Sequence, residues 1–249
     1  KWIQSYRDLP IKLNQWASAM RWEHRTRLLL RSNELLWQEG HTAHRTEHEA
    51  LQQVHQVLEI YREFLREELA LSCVTGLKTE HGKLSSAVES FCLEGLLADG
   101  RALELGAAHF LGQLYARAFD VKFQDEDNTE KLAWQTCWGV SSRLVGALVM
   151  AHADEKGLRL PPRVAPVQAV VIPIGRNSAQ WPQVLEVAGA AAAALNAAGV
   201  RTQTDLHQGA TTGFKFNQWE QRGVPVRVEI GPQEVSEGIA TLCGRVGDE

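Results

Sequence analysis

Hydrophobic positions fall with two different periods along this chain. Between residues 46 and 71 they recur at Leu51, Val54, Val57, Leu58, Tyr61, Phe64, Leu65 and Leu69, the spacing of one helical face. Thr46 followed three residues on by Glu49 is a capping-box start. The pattern predicts one long helix with a core face, and its histidines, His48 and His55, read as solvated. Upstream, residues 14–23 alternate around Trp16, Met20 and Trp22 and read as a strand. Residues 25–30 read as a basic turn and 32–40 as the returning antiparallel strand, which suits so short a connection. Residues 1–14 read as a short helix or loop ending near Pro10.

Beyond the long helix the periods mix. Residues 71–79 read as strand plus turn, 102–106 as a strand and 109–118 as a helix. Residues 83–93 fit either class. Residues 121–124 and 132–138 read as two strands joined by the acidic turn DEDNTE, and 142–151 as an apolar helix with Arg143 in its first turn. Residues 157–166 are a crossover punctuated by Pro161, Pro162 and Pro166. The pattern then changes. Residues 167–174 are a continuous β-branched run of the kind buried in parallel sheets. An alanine-rich helix (181–198) ended by Gly199, a short strand (200–204), a helix (214–222) and a second β-branched strand (225–230) follow. This alternation predicts an α/β unit, with a boundary near Pro166 dividing the chain into 1–166 and 167–249.

Composition narrows the classes. At 249 residues the chain holds one large or two ordinary domains. Hydrophobic residues are 44% of it, ordinary for a globular protein. No apolar run approaches the roughly 20 residues of a membrane span, and the polar, aromatic start is not a signal peptide. Four scattered cysteines without a CxxC pair point to a reducing, cytoplasmic setting and away from a cysteine-rich zinc site. A net charge of −4 does not mark a nucleic-acid binder, although a local basic patch needs no basic total. The chain begins without methionine and reads as part of a longer protein.

The chemistry concentrates in RWEHRTRLLLRSNELLWQEGHTAH, residues 21–44. Arg21 and Glu23, then Arg31, Leu35 and Glu39, place guanidinium and carboxylate groups on neighbouring strands. A guanidinium clamps phosphate or carboxylate with two parallel hydrogen bonds. The same charges can also simply pair across a hairpin. Trp37, Glu39 and His41 alternate and therefore share one strand face.

This segment resembles motif 2 of the class II aminoacyl-tRNA synthetases, and WQEGHTAH resembles its prolyl-tRNA synthetase form. KWIQSYRDLPIKL, GAAHFLGQ, GVSSRLVGALVMAHAD, GLRLPPRVAP and GFKFNQWEQRGVPVRVEIG are similar to that family as well, in its order. The resemblance implies an α+β class: a catalytic domain built on an antiparallel sheet flanked by helices, then an α/β anticodon-binding domain. It implies ATP-dependent activation of proline and transfer to tRNA(Pro), with Mg²⁺ bridging the phosphates and no protein nucleophile. By resemblance Arg21 and Arg143 are catalytic. Arg21, Glu23, Arg31, Ser32, Leu35, Glu104, Ala107, Ser141 and Arg143 bind ATP. Arg21, Trp37, Glu39, His41 and His109 bind proline, and Phe214, Lys215, Phe216 and Trp219 contact tRNA. No resident protein-held metal, no membrane and no DNA are implied. A homodimer through a segment upstream of residue 1 is.

The chain departs from the family at several positions. Leu35 stands where a phenylalanine stacks on adenine, Ala107 and Ala108 replace two hydroxyls, and Ser90-Phe91-Cys92 replaces a threonine run. Glu104 replaces a glutamine and brings a negative charge to the ribose side. Arginines usual near His207 and Gln233 are missing. These changes leave open a second reading, a synthetase-like paralogue that binds without charging tRNA or activates another amino acid. The family's first motif and amine-recognition loop are expected upstream, and no inserted editing domain or C-terminal zinc appendage is present in this stretch.

Overall fold

The computed structural model describes residues 2–97 and 99–246. They form two compact units, Lys1–Ala151 and His152–Glu249. The crossover expected with the first unit groups with the second. There Leu158 N–H donates to Gln221 O at 3.0 Å and Leu160 N–H to Gly223 O at 3.3 Å. Gly223 has φ +74°, and an added Cβ would lie 2.6 Å from Leu158 Cβ, so glycine is required where these segments cross.

The first unit opens on a short 3-10 turn, Tyr6–Asp8, capped by Ser5. Strand β1 is Ile11–Met20 and β2 is Glu34–His44, paired antiparallel from Ile11↔Ala43 to Met20↔Glu34. Both are displaced from the expected 14–23 and 32–40, because the alternation in 11–13 and 41–44 continues the ladder beyond the charged stretch. Helix α1, Glu47–Glu67, starts on the Thr46–Glu49 capping box. It buries Val54, Val57, Leu58, Tyr61 and Leu65, while Phe64 stays 41% exposed. Strands β3 (Cys73–Leu77), β4 (Glu89–Leu96) and β5 (Ala102–Gly112) follow. Then come α2 (Leu114–Ala118), the small hairpin β6 (Lys122–Gln124) and β7 (Glu130–Leu132), β8 (Trp134–Ser141) and α3 (Arg143–His152).

The six-stranded sheet has the order β1-β2-β8-β5-β4-β3, antiparallel throughout. Strands far apart in sequence, β2 and β8, therefore lie side by side. Helix α1 covers one face, and Tyr61 O–H donates to Gln38 Oε1 there at 2.5 Å. On that face Gly40 lies under the Trp138 indole, and a Cβ would come within 2.1 Å of it. The opposite face carries the site.

The second unit contains β9 (Ala169–Pro173), α4 (Trp181–Ala197), β10 (Thr202–Thr204), α5 (Thr212–Gln221), β11 (Val226–Ile230), α6 (Pro232–Glu237) and β12 (Thr241–Gly244). Its sheet order is β10-β9-β11-β12, with β10, β9 and β11 parallel. Val171, Val228 and Ile230 pack with Val184, Ala188 and Ala192 of α4 on one face. Val170 and Ile172 pack with Trp219 on the other. Covering both faces is what makes the central strand β9 uniformly apolar, whereas β11 carries Arg227 and Glu229, and the small side chains let α4 lie close to the sheet. Among the described residues no helix is long and apolar enough to cross a membrane.

Candidate active site

Strand register assembles the site. Trp37, Glu39 and His41 on β2 face Ser141, Gly139 and Cys137 on β8. Across β8, Ala107 and His109 on β5 face Gly139 and Cys137, and His109 in turn faces Ser90 on β4. These residues share the sheet face turned away from α1. A cleft of about 270 Å³ opens on it, lined by Arg21, Leu35, Trp37, Glu39, Glu104, Ala107, His109, Ser141 and Arg143. Two arginines from distant parts of the chain thus reach one cavity.

Their settings differ. The Arg21 guanidinium lies over the Trp37 ring, 5.2 Å from its centroid, a cation–π contact that fixes the group without neutralising it. Arg143 follows directly on β8, and its Nε donates to Leu30 O at 3.1 Å. Neither forms an ion pair with a carboxylate among the described residues, so both charges are available to an anion. Glu39 accepts from Gln15 Nε2 at 2.9 Å and lies 3.9 Å from His41 Nε2. Trp37 Nε1–H is buried and has no hydrogen-bond partner among the described residues.

His109 Nδ1 is 2.8 Å from Ser90 Oγ. Burial, and then the nearby Lys78 charge, hold its pKa below the ordinary histidine value, so the ring is neutral near pH 7. Burial and the Glu39 charge push the Cys137 thiol up to about 11, which removes it as a nucleophile. Glu104 is met by Lys78 Nζ at 2.5 Å. The bare negative charge expected on the ribose side is therefore compensated by a lysine from just beyond β3.

Several expected residues stand elsewhere. His109 belongs to a strand and not to a helix start: residues 105–111 bury side chains on both faces, as a central strand does and a short amphipathic helix does not. Glu23, Arg31 and Ser32 are not on the cleft wall. Their loop folds back on itself through Arg31 N–H to Arg27 O at 2.8 Å. Arg31 pairs with Glu23 at 3.6 Å, and the Ser32 hydroxyl donates to Glu34 O at 2.6 Å. His41 lines a neighbouring cavity of about 380 Å³ with Ile11 and Leu13.

In the second unit the expected RNA contacts Lys215 and Trp219 are both only 7% exposed. Lys215 Nζ donates to Asp205 O at 2.9 Å and lies 3.3 Å from Asp205 Oδ1; Trp219 Nε1 donates to Asp205 Oδ2 at 2.8 Å. The Lys215 ammonium and the Trp219 indole N–H are thus both turned inward onto Asp205 and not toward the surface where RNA was expected. Phe216 is capped by Arg227, 3.9 Å from its centroid. Phe214 alone of the four is well exposed, at 58%.

Gln15, Lys78 and Cys137 were not singled out as site residues from the sequence, and Ser90 was noted only within the run beside the pocket that departs from the family. Only the ladders reveal them: Gln15 is the β1 partner of Glu39, and Ser90 and Cys137 flank His109 on either side.

The architecture and the two convergent arginines define a class. Residues 1–152 match the tRNA synthetase class II core domain (G, H, P, S and T), and residues 168–249 match the anticodon-binding domain. The chain belongs to the class II tRNA synthetase family. Its relatives are more particular. It is 49% identical over 246 residues to the proline–tRNA ligase of Roseiflexus sp. (strain RS-1), covering 98% of this chain and 51% of that protein. It is 50% identical to that of Cenarchaeum symbiosum (strain A), covering 98% of the chain and 52% of the relative. The crystal structure of prolyl-tRNA synthetase from Cryptosporidium parvum in complex with L-proline and AMP superposes with a TM-score of 0.96 at 39% identity. That match covers 100% of this chain and 51% of the other. The chain spans about half the length of the relatives it matches.

Proposed function

We propose that the chain carries the catalytic core and anticodon-binding part of a proline–tRNA ligase, activating proline with ATP and passing it to tRNA(Pro). The observation that carries the reading is the meeting of Arg21 and Arg143 in one cleft with Trp37, Glu39 and His109. Expulsion of pyrophosphate by a carboxylate needs positive charge and positioning more than covalent help. In this reading Arg21 clamps the substrate carboxylate and the α-phosphate, and Arg143 holds the far end of the triphosphate. Leu35, Glu104, Ala107 and Ser141 line the nucleotide side. The Trp37 ring and the Glu39 carboxylate suit the apolar ring and charged nitrogen of an imino acid. Glu23, Arg31 and Ser32 enter only if their loop turns inward on binding, and His41 acts through Glu39.

No group of three metal-ligating side chains occurs among the described residues. Mg²⁺ suits this site as an ion carried by the triphosphate with its own waters. Glu94, which stands opposite Glu104 on β4 and forms no ion pair among the described residues, would hold it from the adjoining cavity that both carboxylates line; when bound it neutralises phosphate charge. The Lys78–Glu104 pair removes one of the substitutions that motivated the paralogue reading, because the Glu104 charge is compensated; those at Leu35, Ala107 and Ala108 stand. The expected homodimer belongs to the same proposal and is supported by the β1 edge, where Trp16 and Met20 stay 81% and 83% exposed; sedimentation tests it.

Proline-dependent exchange of pyrophosphate into ATP tests the enzyme. Wild-type exchange lost in Arg21→Ala and in Arg143→Ala is the expected result. A folded protein that exchanges with no imino acid overturns the proposal.

A further inference from the structure

Ser90 is fully buried on β4, with no exposed surface. Its Oγ has two neighbours: it accepts from Leu84 N–H at 3.1 Å and stands 2.8 Å from His109 Nδ1. A serine hydroxyl offers one hydrogen and two lone pairs. If Nδ1 carried a proton, it too would donate to Oγ. Both lone pairs would then be filled, and the hydroxyl hydrogen would be left without an acceptor among the described residues. A buried donor without a partner is unfavourable, so the pairing that satisfies all three groups is the stable one. In that pairing Leu84 N–H donates to Oγ, and Oγ–H donates to an unprotonated Nδ1. The imidazole proton then sits on Nε2, the ring nitrogen away from Ser90, on a side chain that lines the cleft.

We infer that Ser90 is a positioning residue that holds His109 as the Nε2–H tautomer, so that the cleft presents an N–H donor, and not a base, to an acceptor atom of the bound amino acid or its adenylate. The identity of that ligand rests on the proposed function; the tautomer does not. The neutral state of the ring agrees with this role, since burial disfavours the imidazolium. The arrangement also explains a serine at a position with no access to solvent. An apolar residue there would leave Leu84 N–H and His109 Nδ1 unpartnered together.

Two-bond proton–nitrogen correlation spectra of the full chain, labelled with ¹⁵N-histidine, read the tautomer directly. The signals of His109 among the nine histidines are assigned by their loss in His109→Gln. Wild type is expected to show a protonated Nε2 and an unprotonated Nδ1. Ser90→Ala is expected to give a mixture of tautomers, and Ser90→Thr, which keeps the hydroxyl, to retain the wild-type pattern. A wild-type ring protonated on Nδ1, or a Ser90→Ala spectrum identical to wild type, overturns the inference. If Ser90→Ala fails to fold, the wild-type and Ser90→Thr spectra still decide. In the exchange assay, Ser90→Ala is expected to raise KM for proline about tenfold, which corresponds to about 1.4 kcal/mol, with KM for ATP unchanged and recovery in Ser90→Thr. A change confined to ATP counts against the positioning role. Absence of exchange in wild type, with the Nε2–H spectrum intact, refutes the substrate reading alone.

Discussion

Lys215→Met separates a stabilising lysine from an RNA-binding one. In the structure the lysine side chain is 9% exposed and its ammonium, among the described residues, engages Asp205 through the backbone oxygen and the carboxylate. Methionine fills similar volume without charge, so the perturbation is loss of one half of a buried pair. Removing one partner of such a pair typically costs about 3–5 kcal/mol. Here Asp205 keeps two other donors, Trp219 Nε1–H at 2.8 Å and His207 N–H at 2.9 Å, so the lower end, about 3 kcal/mol, applies. For a unit of this size that lowers Tm by roughly 10–20 °C. Calorimetry of the full chain measures it, and hydrogen exchange at β9 and β11 assigns the loss to the second unit. Affinity for tRNA, measured below the new Tm, should keep its salt dependence, because a lysine that touches no phosphate releases no counterion. A Lys215→Met protein that melts like wild type but loses about one unit of salt slope would refute the reasoning and restore Lys215 as an RNA contact.

Four other outcomes are expected. Gly40→Ala drives a methyl into the Trp138 indole and should destabilise the first unit by about 1–3 kcal/mol, read from urea midpoints; an unchanged midpoint would show that the indole moves freely. Arg143→Lys keeps the charge but loses the planar fork, so exchange should fall and KM for ATP rise, while an unchanged KM would take Arg143 off the triphosphate. Burial holds His44 and His109 below the ordinary histidine pKa. The unfolded chain therefore binds more protons, and the stability they contribute is complete above about pH 6.5 and is lost as pH falls through the lowered values. A first-unit stability that rises on acidification from pH 6.5 would contradict this. With its thiol near 11, Cys137 is ionised to roughly one part in a thousand at pH 8 and should alkylate correspondingly slowly; rapid carboxymethylation of Cys137 at that pH would refute the assignment.

Much of this molecule was legible in one dimension. The long helix, its capping box, the two β-branched strands and the alanine-rich helix follow from local periodicity and composition, because each is decided by neighbours within a few residues. The arginine-rich segment and the Arg143 helix stood out for the same reason, as charges set among apolar or alternating positions. Strand limits and pairings were another matter. Nothing local says that β2 lies against β8, about a hundred residues away, since that adjacency comes from closing the whole sheet. It is the sheet that joins Arg21 to Arg143, brings Gln15 to Glu39 and Ser90 to His109, and lets Lys78 reach Glu104. The fate of Lys215 and Trp219 was likewise fixed in three dimensions. A helix of mixed polarity offers several faces, and packing against β9 decided which of them turned toward Asp205 and which met water.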